Sequence, residues 1–98
     1  MKMYRQGDLL FIKTDRVVGN MKHGLKILES NITGHSHELT KGKVYVNDSI
    51  TLQNLGNFYV EIPEGGAEVI HPEHKAIPLE EGVYEVRRQR EVNGYVQD

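Results

Sequence analysis

Turn-forming residues recur so often along this chain that no long helix fits between them. Turn signals recur about every 8–12 residues over much of the chain, and they include Gln6-Gly7-Asp8, Gly19-Asn20, Asn47-Asp48, Gly56-Asn57, Gly65-Gly66, Gly82 and Asn93-Gly94. No window of about 11 residues between them carries apolar side chains at helical spacing. This pattern is typical of short strands joined by tight turns. It predicts an all-β domain built as a small antiparallel barrel or sandwich.

Apolar or alternating segments fill the space between these turns, and each is a predicted strand. The predicted strands are residues 9–13, 26–33, 43–46, 49–53, 58–62, 67–71, 75–79 and 83–91. Residues 43–53 are typical of a hairpin, and residues 15–24 are predicted to be an exposed loop. With 98 residues, the chain is too short for two independent cores, so we expect one domain over residues 1–98.

Charge and composition restrict what such a domain binds. The formal net charge is -2 at pH 7, so binding of long DNA or RNA through bulk charge is not expected. The chain has no Cys, which excludes disulfides and thiolate metal sites. No apolar run approaches a membrane span, and residues 1–6 lack the apolar core of a signal peptide. We therefore expect a cytoplasmic protein that binds no membrane.

The first of two histidine clusters lies in the segment Gly-His-Ser-His-Glu-Leu at residues 34–39. Residues two apart in a strand share a face, so His35 and His37 point the same way as Leu39. Leu39 indicates that this face points inward. Buried imidazoles are costly unless they bind a ligand or form hydrogen bonds. The alternative is a pair of half-exposed histidines near a turn.

The second cluster is His-Pro-Glu-His at residues 71–74. Pro72 bends the chain after His71, so that His74 can return toward it. An ordinary polar turn would account for this segment alone. Because four of the five histidines lie in two similar clusters, we expect His35, His37, His71 and His74 to meet at one functional site. The fifth, His23, lies in the predicted loop and is expected to be solvated.

The last predicted strand carries cations on the face that begins apolar. Tyr84, Val86, Arg88 and Arg90 alternate on that face. The guanidinium groups of Arg88 and Arg90 suit phosphate or carboxylate oxygens, and the Tyr84 or Tyr59 hydroxyl could orient a base or a hydroxyl. The alternative is that the strand leaves the core after Val86 and its arginines pair with surface carboxylates.

Three chemistries use such residues. In a cupin-like metal protein, His35, His37, His71 and His74 would bind one transition metal ion such as zinc, iron, nickel or copper, and Glu38 or Glu73 would add a carboxylate ligand. The usual cupin spacing of Gly and Glu is absent. In metal-free catalysis, one imidazole takes a proton, another gives one, and an arginine stabilises the phosphorane charge. In a non-enzymatic module, the same residues would hold a nucleotide or another anion. The lack of Cys and the paired arginines favour phosphate over metal.

The order of short motifs adds a family resemblance. The chain carries Tyr-Arg-Gln-Gly-Asp at residues 4–8, Gly-His-x-His at 34–37, His-x-Glu-His at 71–74, Leu-x-x-Gly-x-Tyr at 79–84 and Gln-Arg-Glu at 89–91. Over nearly the whole chain, this layout resembles small ring nucleases of type III CRISPR systems and their viral, anti-CRISPR counterparts.

The resemblance implies a phosphodiesterase that degrades cyclic oligoadenylate second messengers. Ring nucleases of this kind generally use no metal and no other cofactor. The substrate's own 2′-OH is the nucleophile, and the products carry 2′,3′-cyclic phosphate. A two-fold symmetric ring implies a homodimer. The family's catalytic histidines would be His35, His37, His71 and His74, with Arg88 or Arg90 on phosphate.

Overall fold

The computed structural model describes residues 2–29, 35–47 and 58–88, and within these ranges it contains strands and no helix. The strands are β1 (Met3–Gln6), β2 (Leu9–Thr14), β3 (Asn20–Met21), β4 (Lys26–Glu29), β5 (Ser36–Leu39), β6 (Lys43–Val46), β7 (Phe58–Ile62), β8 (Ala67–His71), β9 (His74–Leu79) and β10 (Gly82–Arg88). The predicted all-β fold is confirmed. None of the described segments is a helix long and apolar enough to cross a lipid bilayer.

The strands form two antiparallel sheets, so the architecture is a sandwich and not a closed barrel. The first sheet has the order β1-β2-β10-β7-β6-β3, and the second has the order β4-β5-β8-β9. Alternation along the strands directs Phe11 of β2, Val69 of β8 and Val86 of β10 into the core, where all three are fully buried. Within the described residues, tight turns join β1 to β2 and β8 to β9 as hairpins.

Several of the predicted strand boundaries differ from those in the structure. β1 was not predicted, because its four residues contain no apolar run, yet it pairs with β2 from Met3–Ile12 to Gln6–Leu9. The predicted loop at residues 15–24 contains the short strand β3, which pairs with β6. The predicted strand at residues 49–53 lies outside the described residues, as do the ends of those at 26–33 and 83–91.

One buried polar side chain joins the edge of the first sheet to the second. Gln6, at the end of β1, is 1% exposed. Its Nε2 atom donates hydrogen bonds of 2.9 Å to the carbonyl oxygens of Val69 in β8 and Lys75 in β9. The β1–β2 turn, with Gly7 and Asp8, is thereby held against the strands that carry the histidines.

Candidate histidine site

Strand β5 places His37 inside the protein and His35 at its border. His37 is 5% exposed and Leu39 is 1% exposed, as expected for residues on an inward face. The side chain of His35, at the start of this strand, is 36% exposed. The predicted common face of the three residues is therefore present, and its exposure increases toward residue 35.

The β8–β9 hairpin supplies the other two imidazoles. Pro72 and Glu73 form its turn, and His71 and His74 are cross-strand partners. Their ring centroids lie 4.6 Å apart. The proline bend inferred from the sequence thus brings His74 back beside His71.

The two clusters meet. The ring of His71 lies 4.4 Å from that of His37 and 5.9 Å from that of His35, centroid to centroid. The His37 and His74 rings are stacked at 6.0 Å with an interplanar angle of 11°. We call these four side chains, His35, His37, His71 and His74, the histidine cluster.

Gln6 determines the tautomer of His37. The Gln6 side-chain nitrogen is the amide atom that faces two carbonyl oxygens, because only an N–H group can donate hydrogen bonds to them. The other amide atom, Oε1, is therefore a hydrogen-bond acceptor. That Oε1 lies 2.9 Å from Nδ1 of His37. Nδ1 must therefore carry a hydrogen, and in the neutral ring the lone pair is on Nε2.

An ion pair lies beside the Nε2 atom of His37. Asp8 Oδ1 is 3.7 Å from that nitrogen, and Arg88 Nε donates a hydrogen bond of 2.8 Å to Asp8 Oδ2. The Asp8 side chain is 36% exposed, so the Nε2 side of the buried His37 ring faces a region that solvent reaches. A proton taken up at Nε2 would be stabilised by the carboxylate.

His71 has the opposite tautomer. The backbone N–H of Glu73 donates a hydrogen bond of 3.0 Å to Nδ1 of His71, so the proton of the neutral ring is on Nε2. Burial lowers the pKa of His71 below its ordinary value, and the neighbouring His74 lowers it further. His71 is thus built as a neutral ring that donates through Nε2.

His35 is paired with a carboxylate. Its Nδ1 atom is 2.7 Å from Oε1 of Glu73, and hydrogen bonding to His35 lowers the pKa of the Glu73 carboxyl. The cluster therefore contains one imidazole held by a neutral amide and one held by an anion.

Gly7 allows the β1–β2 turn to approach the cluster. Its φ is +60°, and a Cβ atom at this position would lie 2.7 Å from Nε2 of His74. Any larger residue would meet the imidazole in addition to the cost of a left-handed backbone. The glycine is thus required by the backbone conformation and by the ring packed on it.

The remaining predicted site residues lie elsewhere or outside the described ranges. Tyr84 is fully buried, donates a hydrogen bond of 2.9 Å to the Glu80 carbonyl and packs edge-on against Tyr4. The structure does not bring Tyr84 to the histidine cluster, although Arg88 of the same strand reaches it through Asp8. Arg90 lies outside the described residues, and His23 is exposed in its loop.

The arrangement gives no support to the metal alternative. Among the residues that the structure describes, no group of three His, Asp or Glu side chains is arranged to hold a metal ion. A metal on Nε2 of His71 would require the ring proton on Nδ1, where the Glu73 N–H already points. Nδ1 of His35 and Nδ1 of His37 are also engaged, which leaves their Nε2 atoms as the ring nitrogens for any ligand.

Fold and site together define a small antiparallel β-sandwich with a hydrogen-bonded histidine cluster between the β1–β2 turn and the second sheet. The chain belongs to the family described as Domain of unknown function (DUF8820), whose model matches residues 5–89. No curated protein and no solved structure is detectably similar to the chain.

Two partners of the cluster were missed by reasoning from the sequence. Gln6 and Asp8 were assigned only to a turn, yet they contact His37 on both ring nitrogens. The one available signal was their place in the Tyr-Arg-Gln-Gly-Asp motif at residues 4–8. Glu73 was considered only as a further metal ligand, whereas the structure pairs it with His35.

Proposed function

We propose that the histidine cluster is the active site of a metal-independent phosphodiesterase that opens cyclic oligoadenylates. The observation that carries this proposal is the contact of four imidazoles, two of which have their Nδ1 atoms held by Gln6 and Glu73. Imidazoles fixed in this way can exchange protons through Nε2 near neutral pH.

The reaction needs no nucleophile from the protein. The ribose 2′-oxygen attacks the adjacent phosphorus while a base takes the 2′-OH proton. The bond from phosphorus to the 5′-oxygen then breaks, and an acid protonates that oxygen. The products are a linear oligoadenylate with a 2′,3′-cyclic phosphate at one end and a 5′-OH at the other.

Arg88 and the imidazoles are the groups near the cluster that would meet an anionic substrate, and the Asp8 and Glu73 carboxylates lie beside them. Arg88 is a guanidinium at the border of the cluster, and its side chain is 48% exposed. Although the whole chain has a net charge of -2, a ring of a few phosphates needs only a local cation and imidazoles that gain charge on protonation. We propose a homodimer as the active form, because two copies of the cluster would match a two-fold symmetric ring.

The test is an assay of EDTA-treated protein with cyclic oligoadenylates of several ring sizes, with products separated by chromatography and identified by mass. Linear products with 2′,3′-cyclic phosphate are expected. Replacing His37 with Ala should reduce turnover about 10²- to 10⁴-fold, whereas the control His23→Ala, at an exposed position, should not.

Two results would contradict the proposal. Rings that are bound and returned intact would indicate a nucleotide-binding module. Turnover that appears only when zinc, manganese or iron is added back would indicate a metal enzyme.

Light scattering with and without a non-cleavable ring would measure whether the chain forms the expected dimer.

A further inference from the structure

The histidine cluster contains two imidazoles whose Nδ1 atoms are held by different partners. Nδ1 of His37 donates to a neutral amide oxygen, that of Gln6. Nδ1 of His35 lies 2.7 Å from a carboxylate oxygen, that of Glu73. Both rings are packed against His71, so the two imidazoles lie in the same cluster.

The two partners differ in charge. The Gln6 oxygen is neutral and fixes the His37 tautomer with its lone pair on Nε2, the atom through which a base accepts a proton. The Glu73 carboxylate places a negative charge beside Nδ1 of His35, the kind of partner that suits a ring giving its proton to a substrate.

We infer that His37 is the general base and His35 the general acid of the proposed phosphodiesterase, each acting through Nε2, with Gln6 and Glu73 as the positioning residues. This assignment rests on the proposed function. His37 removes the 2′-OH proton, and His35 gives a proton to the departing 5′-oxygen. Asp8, 3.7 Å from Nε2 of His37, stabilises the imidazolium that forms there.

His71 has a third role in this assignment. Its Nδ1 accepts a hydrogen bond from the backbone N–H of Glu73. A second proton on the ring would have to bind to Nδ1, where it would face the hydrogen of that N–H group. His71 therefore remains neutral and donates Nε2–H toward a phosphate oxygen. It lies between the base and the acid, in contact with both rings.

A change of leaving group separates the acid from the base. The probe is adenosine 3′-(4-nitrophenyl phosphate), whose nitrophenolate departs without being protonated. His35→Ala should slow cleavage of an ordinary adenylate linkage about 10²- to 10⁴-fold but cleavage of the nitrophenyl ester less than about tenfold. His37→Ala should slow both reactions about 10²-fold or more. His37→Asn, which keeps an amide N–H toward Gln6, guards against a folding defect in the alanine variant.

Nitrogen NMR of the imidazoles tests the positioning role independently of turnover. In the wild-type protein at neutral pH, the Nδ1–H tautomer is expected for His37 and the Nε2–H tautomer for His71. Gln6→Leu should allow the Nε2–H form of His37 to appear. An Nε2–H tautomer for His37 in the wild-type protein would overturn the assignment.

The kinetic outcomes distinguish this assignment from the function on which it rests. Rescue of His37→Ala by the nitrophenyl ester, or no rescue of His35→Ala, would overturn the two roles while leaving the phosphodiesterase in place. Cleavage of neither substrate by the wild-type protein would overturn the proposed function and the roles with it.

Discussion

The side chains of Gln6 and His37 share a buried hydrogen bond of 2.9 Å between Oε1 and Nδ1. They lie on different sheets, at the end of β1 and in β5. The same glutamine amide also donates to two carbonyl groups of β8 and β9. The Gln6 side chain thus fixes the orientation of the His37 imidazole and forms hydrogen bonds between the two sheets. Its loss should therefore lower the free energy of unfolding and disturb the histidine cluster.

Replacing Gln6 with Leu should therefore destabilise the fold. The variant leaves the carbonyls of Val69 and Lys75 and the Nδ1 of His37 without their present partner in the interior. We expect the free energy of unfolding in urea to fall by about 2–5 kcal/mol. The control is Glu68→Ala at an exposed position of β8, which should change it by less than about 0.5 kcal/mol. Equal effects of the two substitutions would show that the Gln6 bonds contribute little.

Replacing Gly7 with Ala tests the packing of the turn on His74. Gly24 is the matched control, because its φ of +83° imposes the same kind of strain while nothing lies within 4 Å of its added Cβ. We expect Gly24→Ala to cost about 1–2 kcal/mol and Gly7→Ala about 1–3 kcal/mol more, from displacement of the imidazole. Urea denaturation gives both values, and indistinguishable losses would contradict the predicted contact.

The contribution of His71 to the stability of the fold should decrease as the pH falls from about 7.5 to 5.5. The pKa of His71 in the folded protein lies below its ordinary value of 6.5, chiefly because of burial. Below pH 6.5 the unfolded chain therefore binds a proton at residue 71 that the folded protein does not bind, which favours unfolding. The carboxyl of Glu73 has a lowered pKa, so the stability that it contributes is lost only at more acidic pH.

Replacing His71 measures how much of the pH dependence of the unfolding free energy comes from this residue. His71→Asn should flatten the dependence of the unfolding free energy on pH in that interval, whereas His23→Asn, at an exposed residue outside the cluster, should leave it unchanged. An unchanged slope in His71→Asn would mean that another group titrates there.

Tyr84→Phe distinguishes a core residue from a substrate-binding one. The hydroxyl of Tyr84 is bonded to the Glu80 carbonyl, and burial raises its pKa to about 12. Loss of this bond should lower the free energy of unfolding by about 0.5–1.5 kcal/mol and leave kcat/KM for cyclic oligoadenylates unchanged. A large fall in kcat/KM with intact stability would restore the substrate-binding role predicted from the sequence.

Arg88 and Arg87 form a matched pair for testing phosphate binding. They are adjacent on opposite faces of β10 and similarly exposed, and each pairs with a carboxylate, Arg88 with Asp8 and Arg87 with Glu85. Arg88→Gln should lower kcat/KM about 10- to 100-fold, the loss of one charge-assisted bond to phosphate, while Arg87→Gln should not. Equal effects would place the phosphate away from the Asp8–Arg88 pair.

The local sequence pattern was sufficient to predict the fold class and the arrangement of the histidines within each of the two clusters. Turn residues and period-two alternation depend only on neighbouring residues, and they led to the all-β fold, the common face of His35 and His37, and the return of His74 toward His71. In each case the relevant side chains lie within a few residues of one another, so strand and hairpin geometry alone relates them.

The partners of the histidines were decided by the tertiary structure. Gln6 and Asp8 come from β1 and its turn, and β5 lies in the other sheet, so no local pattern relates either residue to His37. Tyr84 is the opposite case, a residue that a local pattern linked to the site and that the tertiary structure places elsewhere. It shares a face with Arg88, but four residues of extended strand separate them by about 13 Å, so a common face does not imply a common site. The sequence by itself determined the strands, the turns and the grouping of histidines within each cluster, because alternation and turns are local properties. Only the packing of two sheets decided which nitrogen of each imidazole is held and by what, because those contacts join residues far apart in the chain.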